Sequence, residues 1–196
     1  MPIAESILPE FDHEMATTRT LLERVPEEKA DWKPHARSMS LGQLAMHITN
    51  LPYWASVTLE QTEFDTDPPD GRRITPPPFE SSAQLLRTYD DNVKAARARL
   101  AHASDGEFMV QWTLKVGGRS LFSMPRVAVF RSFVLNHAVH HRGQLSVYLR
   151  LLDVPIPKVI VPLNPGKNIT VIAEVVAMMH LLRYSGVDVA AAVNER

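Results

Sequence analysis

The stretch Asn136-His-Ala-Val-His-His-Arg-Gly-Gln144 lies in a run with helical periodicity that extends from about Ser123-Met-Pro125 to Leu152. At about 100° per residue, His141 falls near the middle of the apolar stripe and His137 about 40° from it. The apolar members of the stripe are Val127, Phe130, Val134, Ala138, Leu145, Tyr148 and Leu152. Two imidazoles at positions i and i+4 can reach one ion at about 2.0–2.1 Å. The spacing therefore indicates a divalent metal site on the inner face of this helix.

His140 competes for a place in this site, because it is three residues from His137. The helical wheel places it roughly 100° from His141, on the flank with Asn136 and Gln144. We therefore predict that His140 hydrogen-bonds near the site and is not a ligand. A histidine on an apolar face is also commonly an ordinary core residue, and the spacing alone leaves that alternative open.

A third ligand has to come from another helix. His47 is the best candidate on position, because it lies at the edge of the second helix's apolar stripe. His13 falls off the first stripe, His35 lies in a loop and His102 lies at a helix end, so we expect all three to be solvated. His180 lies outside the four helices and is predicted to be structural.

Four segments with apolar residues three and four apart predict four helices. They run from about Ile7 to Leu22, from a cap at Ser38 or Ser40 to a kink or break at Pro52, from Ser81 or Ser82 to Leu100, and from Ser123 to Leu152. A Pro-rich loop over residues 65–78 connects the second helix to the third, and Gly117-Gly118 resembles the turn of a small hairpin. The pattern predicts an all-α fold, an up-down four-helix bundle with a long crossover loop and an additional C-terminal helix.

The composition restricts the classes of function. The chain has 196 residues, 45% of them hydrophobic, and a formal net charge of -1, so neither nucleic acid nor a membrane surface is an expected partner. There are no cysteines, which excludes disulfides, thiolate metal ligands and a cysteine nucleophile. We expect a cytoplasmic protein without a membrane-spanning segment.

The motifs resemble a known family. Asn136 to Gln144, followed by Leu-Ser-Val-Tyr-Leu-Arg-Leu-Leu-Asp-Val-Pro155, is similar to the signature of DinB-like (DinB/YfiT) proteins. Trp32-Lys-Pro34 and Ser40-Leu-Gly-Gln-Leu-Ala-Met-His47 resemble the first loop and second helix of that family, and the resemblance covers about residues 8–157. It implies a four-helix bundle with a three-histidine site for a divalent ion, nickel or zinc, held by His47, His137 and His141.

The resemblance also implies a small-molecule substrate, because relatives include transferases and isomerases that use low-molecular-weight thiols. We expect either a metal-dependent thiol transferase or hydrolase, or a metal-binding protein without catalysis that acts in stress response or as an interaction module. No His-Glu-x-x-His frame supplies a general base, so no catalytic residue is assigned. Tyr53, Trp54 and Tyr148 are expected in the core or around a pocket, and Arg126 and Arg142 as solvated residues or substrate-carboxylate ligands.

We predict that the chain consists of a bundle over residues 1–157 and an extension over residues 158–196. The extension contains an apolar segment, Ile169 to Tyr184, whose apolar residues surround nearly the whole helix. A solvated helix would not tolerate this distribution. The segment is therefore predicted to be an extra core helix or a dimer contact, and we expect a homodimer.

Overall fold

The computed structural model, which describes residues 1–71 and 77–157, contains a helical bundle. The helices are α1 (Ile3–Leu22), α2 (Leu41–Asn50), α3 (Tyr53–Glu60), α4 (Ser82–Ala101), the short α5 (Asp105–Phe108), α6 (Arg126–Val129) and α7 (His137–Leu151), and a π-helical segment, Phe130–Asn136, joins α6 to α7. Helices α1 and α2 each pack against both α4 and α7. The predicted helical-bundle fold is confirmed.

The sequence signals for helix ends act as expected at α2 and α4. Ser40 accepts a hydrogen bond from the Gln43 backbone N–H at 3.2 Å, and the Gln43 side chain accepts one from the Ser40 N–H at 2.9 Å. This capping box satisfies two backbone donors that the first turn would otherwise leave unpaired. The Ser81 hydroxyl caps α4 by accepting a hydrogen bond from the Gln84 backbone N–H at 3.1 Å. Pro52 separates α2 from α3 because proline donates no hydrogen bond to a helix.

A three-stranded sheet lies beside the bundle. Strands β2 (Gln111–Val116) and β3 (Arg119–Pro125) form the expected hairpin, whose turn places Gly117 at φ 59° and Gly118 at φ 77°. Strand β1 (Glu63–Asp65), which the sequence did not predict, pairs parallel to β2. The Asp65 carboxylate accepts hydrogen bonds from the backbone of Gly117 and Gly118 at 3.0 and 2.7 Å, so it ties the start of the crossover loop to the hairpin.

The fourth helix differs from the prediction in where it begins and in which of its residues face the core. Ser123 belongs to β3, and the helix begins at Arg126. The π-helical segment then changes the hydrogen-bond register from i, i+4 to i, i+5, which rotates the residues before it relative to those after it. In contrast to the predicted stripe, Val127 and Tyr148 are only partly buried, whereas Val129, Leu135 and Leu149 belong to the core.

Several predictions lie outside the described residues. These are the division of the chain at residue 157, the apolar helix over residues 169–184, the role of His180 and the middle of the crossover loop. Within the described ranges, no helix combines the length and the apolar character needed to cross a bilayer.

Candidate metal centre

Three histidines from two helices converge inside the bundle. His47 lies near the end of α2, and His137 and His141 lie one turn apart at the start of α7. The Nε2 atom of His137 is 2.8 Å from Nε2 of His141 and 3.3 Å from Nε2 of His47. The candidate ligand nitrogens all lie within 4.8 Å of one another. The structure thus brings together the three residues that the sequence analysis selected, and the group can hold a divalent metal ion.

These distances suit one shared ion. Nitrogens bound at about 2.0–2.1 Å from a metal are about 2.9 Å apart when they subtend 90° and about 3.3 Å apart at the tetrahedral angle. The observed separations of 2.8 and 3.3 Å fall close to these two values. The donor set also fits, because three imidazoles without thiolate or carboxylate suit zinc, nickel, copper or iron.

Hydrogen bonds orient two of the three rings. Nδ1 of His141 donates to the Gln144 side-chain oxygen at 2.7 Å, and the Gln144 amide nitrogen in turn donates to Nε2 of His140 at 3.1 Å. The His137 ring donates to the backbone carbonyl of Phe133, one turn earlier. With the Nδ1 proton of His141 engaged by Gln144, its Nε2 lone pair points at the other rings. Such partners fix the tautomer and the direction of a metal-binding histidine.

The π-helical segment supports this orientation. The backbone N–H of His137 donates to the carbonyl of Val134, three residues earlier. In a regular α-helix it would donate to Phe133 instead. The His137 backbone N–H therefore does not occupy the Phe133 carbonyl, with which the His137 ring interacts.

Burial keeps the three imidazoles neutral. The pKa of His47 is lowered to about 4, first by burial and then by the nearby His141 and His137. Burial is also the largest cause that lowers the pKa of His137 and of His141, and the hydrogen bonds that these rings donate to the Phe133 carbonyl and to the Gln144 side-chain oxygen oppose it. Since a metal ligand has to be unprotonated, the site needs no proton release at neutral pH.

The remaining histidines lie where the sequence placed them, within the described ranges. His13, His35 and His102 are exposed. His140 is exposed beside His141 and bonded to Gln144, which confirms its predicted hydrogen-bonding position.

The expectation for the two arginines was wrong. Arg142 is buried, lies 2.6 Å from a Glu14 carboxylate oxygen and donates to the Thr18 hydroxyl at 3.3 Å. Arg126 is also buried and donates to the backbone carbonyl of Gln61 at 2.8 Å. Neither guanidinium is solvated. Arg142 instead anchors α7, next to His141, to α1.

The predicted aromatic residues serve mainly as packing. Tyr53 and Trp54 pack against a buried cluster that contains Trp112. Tyr148 lies edge-on to Trp32, with ring centres 5.6 Å apart, and donates a hydrogen bond to the Met39 carbonyl at 3.3 Å.

A cavity that the sequence did not predict adjoins the histidines. Its volume is about 670 Å³, and His47 forms part of its wall. The other walls come from residues 30–31, from five residues at the start of α2 and just before it (39, 40, 42, 43 and 46), and from residues 77–79. Because three separate segments build it, no single sequence motif signals the cavity.

Solved structures with the same fold are DinB-like proteins. One from Bacillus subtilis superposes with a TM-score of 0.59 at 21% identity, covering 78% of this chain and 96% of that protein. Another, from Bacillus cereus ATCC 10987, gives 0.58 at 24% identity, covering 81% and 98%. A member of the DinB family from Exiguobacterium sibiricum 255-15 gives 0.56 at 20% identity, covering 80% and 97%. At these identities the likeness shows the fold alone.

Curated relatives are similar only in part. The HPr kinase/phosphorylase of Chlorobium phaeobacteroides (strain BS1) is 54% identical over 48 residues, which are 24% of this chain and 14% of that protein. The HPr kinase/phosphorylase of Halalkalibacterium halodurans is 43% identical over 132 residues, 60% of this chain and 40% of that protein. The chain thus spans less than half the length of either relative.

The sequence profile of the DinB superfamily matches residues 10–145, which include all three clustered histidines and most of the bundle. This match covers more than half of the chain and agrees with the predicted resemblance. The chain belongs to the DinB superfamily.

Proposed function

We propose that His47, His137 and His141 bind a divalent metal ion and that the protein is a metal-dependent enzyme for a small molecule. The observation that carries the proposal is the convergence of three Nε2 atoms, two of them 2.8 Å apart. Two imidazole nitrogens this close need either a shared proton or a cation between them, because their lone pairs otherwise repel each other; a shared proton serves only two of the three rings. A metal ion removes the repulsion for all three rings together.

The ligand count supports a catalytic role. Three protein ligands leave at least one coordination position open, as in catalytic and not structural sites. An ion in this site would lower the pKa of a bound water toward about 7 or hold a substrate thiolate. The cavity at His47 has the volume of a small-molecule site, which is typically about 300–1,000 Å³.

We further propose nickel or zinc as the metal and a low-molecular-weight thiol as a reactant. Neutral imidazoles bind both ions well. The chain contains no cysteine, so any thiol chemistry at this site uses a thiol that enters from solution. Arg142 holds the helix that carries His141, and Gln144 holds the ring of His141 itself.

Elemental analysis of protein purified without a histidine tag tests metal binding. We expect close to one equivalent of divalent metal in the wild type and a large loss in His141→Ala. His140→Ala is the matched control, because His140 is the exposed neighbour that does not point into the cluster. Equal metal content in the wild type and in His141→Ala would refute the three-histidine site.

Catalysis is tested separately with a panel of thiols and electrophiles. The metal-loaded wild type should accelerate at least one pairing relative to a variant in which all three histidines are alanine. If no pairing or hydrolysable substrate reacts faster with the wild type, the alternative of a metal-binding protein without catalysis is favoured. We do not propose a kinase of the P-loop type, since the sequence lacks a G-x-x-x-x-G-K-[ST] loop.

A further inference from the structure

The cavity beside His47 has walls of two chemical kinds. Its apolar surface comes from methionine, proline and phenylalanine side chains, contributed by Met39, Met46, Pro77, Pro78 and Phe79. Its polar surface includes Asp31, Ser40 and Gln43. Such a mixture suits a ligand with an apolar body and a small number of polar groups.

Backbone contacts hold the walls together. The amides of Leu41 and Gly42 donate to the carbonyls of Trp32 and Ala30 at 2.9 and 2.8 Å, which fixes the segment around Asp31 against the first turn of α2. Gly42 permits the close approach, since a Cβ at this position would lie 3.1 Å from Cβ of Phe79 and 3.2 Å from Cβ of Ala30. These backbone contacts therefore fix the relative positions of the cavity walls.

Among the described residues that line the cavity, the only charged side chain is negative. Asp31 is exposed and is the only Asp, Glu, Lys or Arg among the described residues that line the cavity. Ser40 and Gln43 already bond to each other's backbone in the capping box. The Asp31 carboxylate is thus the group best placed to pair with a charge on a ligand, and the aromatic face of Phe79 also attracts cations.

We propose that this cavity is the substrate pocket of the metal centre and that Asp31 selects small molecules that carry a cationic group, such as a primary ammonium, on an apolar body. The link to the metal rests on the proposed function and on His47, which contributes both to the cluster and to the cavity wall. The preference for a cation rests on Asp31 and can be measured without the metal.

Three probes of matched shape test the preference: 2-phenylethylammonium, 2-phenylethanol and 3-phenylpropionate. Their affinities are measured by calorimetry with the full chain, first metal-loaded and then after chelation, where a probe carboxylate can no longer bind the ion. We expect the ammonium probe to bind about fivefold more tightly than the alcohol, as for an exposed ion pair, and the carboxylate to bind least in the chelated protein. The difference should shrink in high salt.

Two variants assign the effect to one carboxylate. Asp31→Asn should bring the ammonium and alcohol affinities together, whereas Glu28→Gln, which makes the same change in net charge at an exposed residue outside the lining, should leave the preference intact. The proposal is overturned if the wild type binds the ammonium and alcohol probes equally, or if no probe binds at all. It is also overturned if the chelated protein binds the carboxylate probe most tightly, or if Asp31→Asn keeps the preference for the ammonium. Loss of metal binding with the preference retained would instead contradict the proposed function alone.

Discussion

Acidification of the metal-free protein should lower its stability through His47. Burial lowers the pKa of this imidazole from 6.5 to about 4. In the unfolded chain the ring is solvated and binds a proton near its ordinary pKa, about 6.5. Between these two values the unfolded state binds more protons than the folded state, so the free energy of unfolding decreases as the pH falls. This stabilisation is fully present above about pH 6.5 and lost as the pH falls toward 4.

The size of the effect follows from the two pKa values. At pH 5 the difference corresponds to about 2 kcal/mol relative to pH 7 for a fully shielded group. His47 is only partly buried, so we discount this to about 1 kcal/mol for solvent screening. His137 and His141 act in the same direction, because burial lowers the pKa of each.

Urea unfolding of chelator-treated protein at pH 7 and pH 5 measures the loss. His47→Gln removes the titrating ring, so this variant should lose about 1 kcal/mol less than the wild type between the two pH values. His13→Gln, at an exposed position on α1, is the control and should behave like the wild type. The reasoning is refuted if His47→Gln and the wild type show the same loss.

Substitutions at four further positions test other parts of the site and its support. Gln144→Leu removes the acceptor that orients His141, so metal affinity, measured by competition with a chelator, should fall by about 10–100-fold, while Gln144→Glu should retain it. Gly42→Ala would place a Cβ 3.1 Å from a neighbouring side chain and should cost about 1–3 kcal/mol in urea unfolding, whereas Gly143→Ala, with nothing within 4 Å, should stabilise α7 by about 0.5–1 kcal/mol. Arg142→Met leaves a carboxylate on α1 without its partner and should cost about 3 kcal/mol. The packing described would be contradicted if Arg142→Met had the same free energy of unfolding as the wild type, or if Gly143→Ala lowered the free energy of unfolding.

Local signals in the sequence predicted the bundle and two of the ligands. Ser40 is one of the two serines predicted to cap α2, Gly117-Gly118 allows the positive φ of the hairpin turn, and His137 and His141 have the spacing of one helical turn. Each signal depends on residues within four positions of one another. The third ligand, His47, required the helix stripe and the family resemblance together, since it meets the others only after the helices pack.

The features that the sequence missed depend on distant contacts or on an irregular helix. Strand β1 is three residues long and pairs with β2 across about fifty positions of chain. Burial of Arg142 depends on Glu14, which lies on another helix. The helical wheel assumed a regular period, so it could not foresee the π-helical segment that changes the register before His137.

X-ray absorption spectroscopy of the metal-loaded full chain tests the central claim most directly, because it counts the imidazoles around the ion. We expect three imidazoles at about 2.0–2.1 Å in the wild type. We expect two in His47→Ala, and three in His140→Ala. An ion without imidazole scattering in the wild type, or the same count in His47→Ala as in the wild type, would contradict a metal centre formed by His47, His137 and His141.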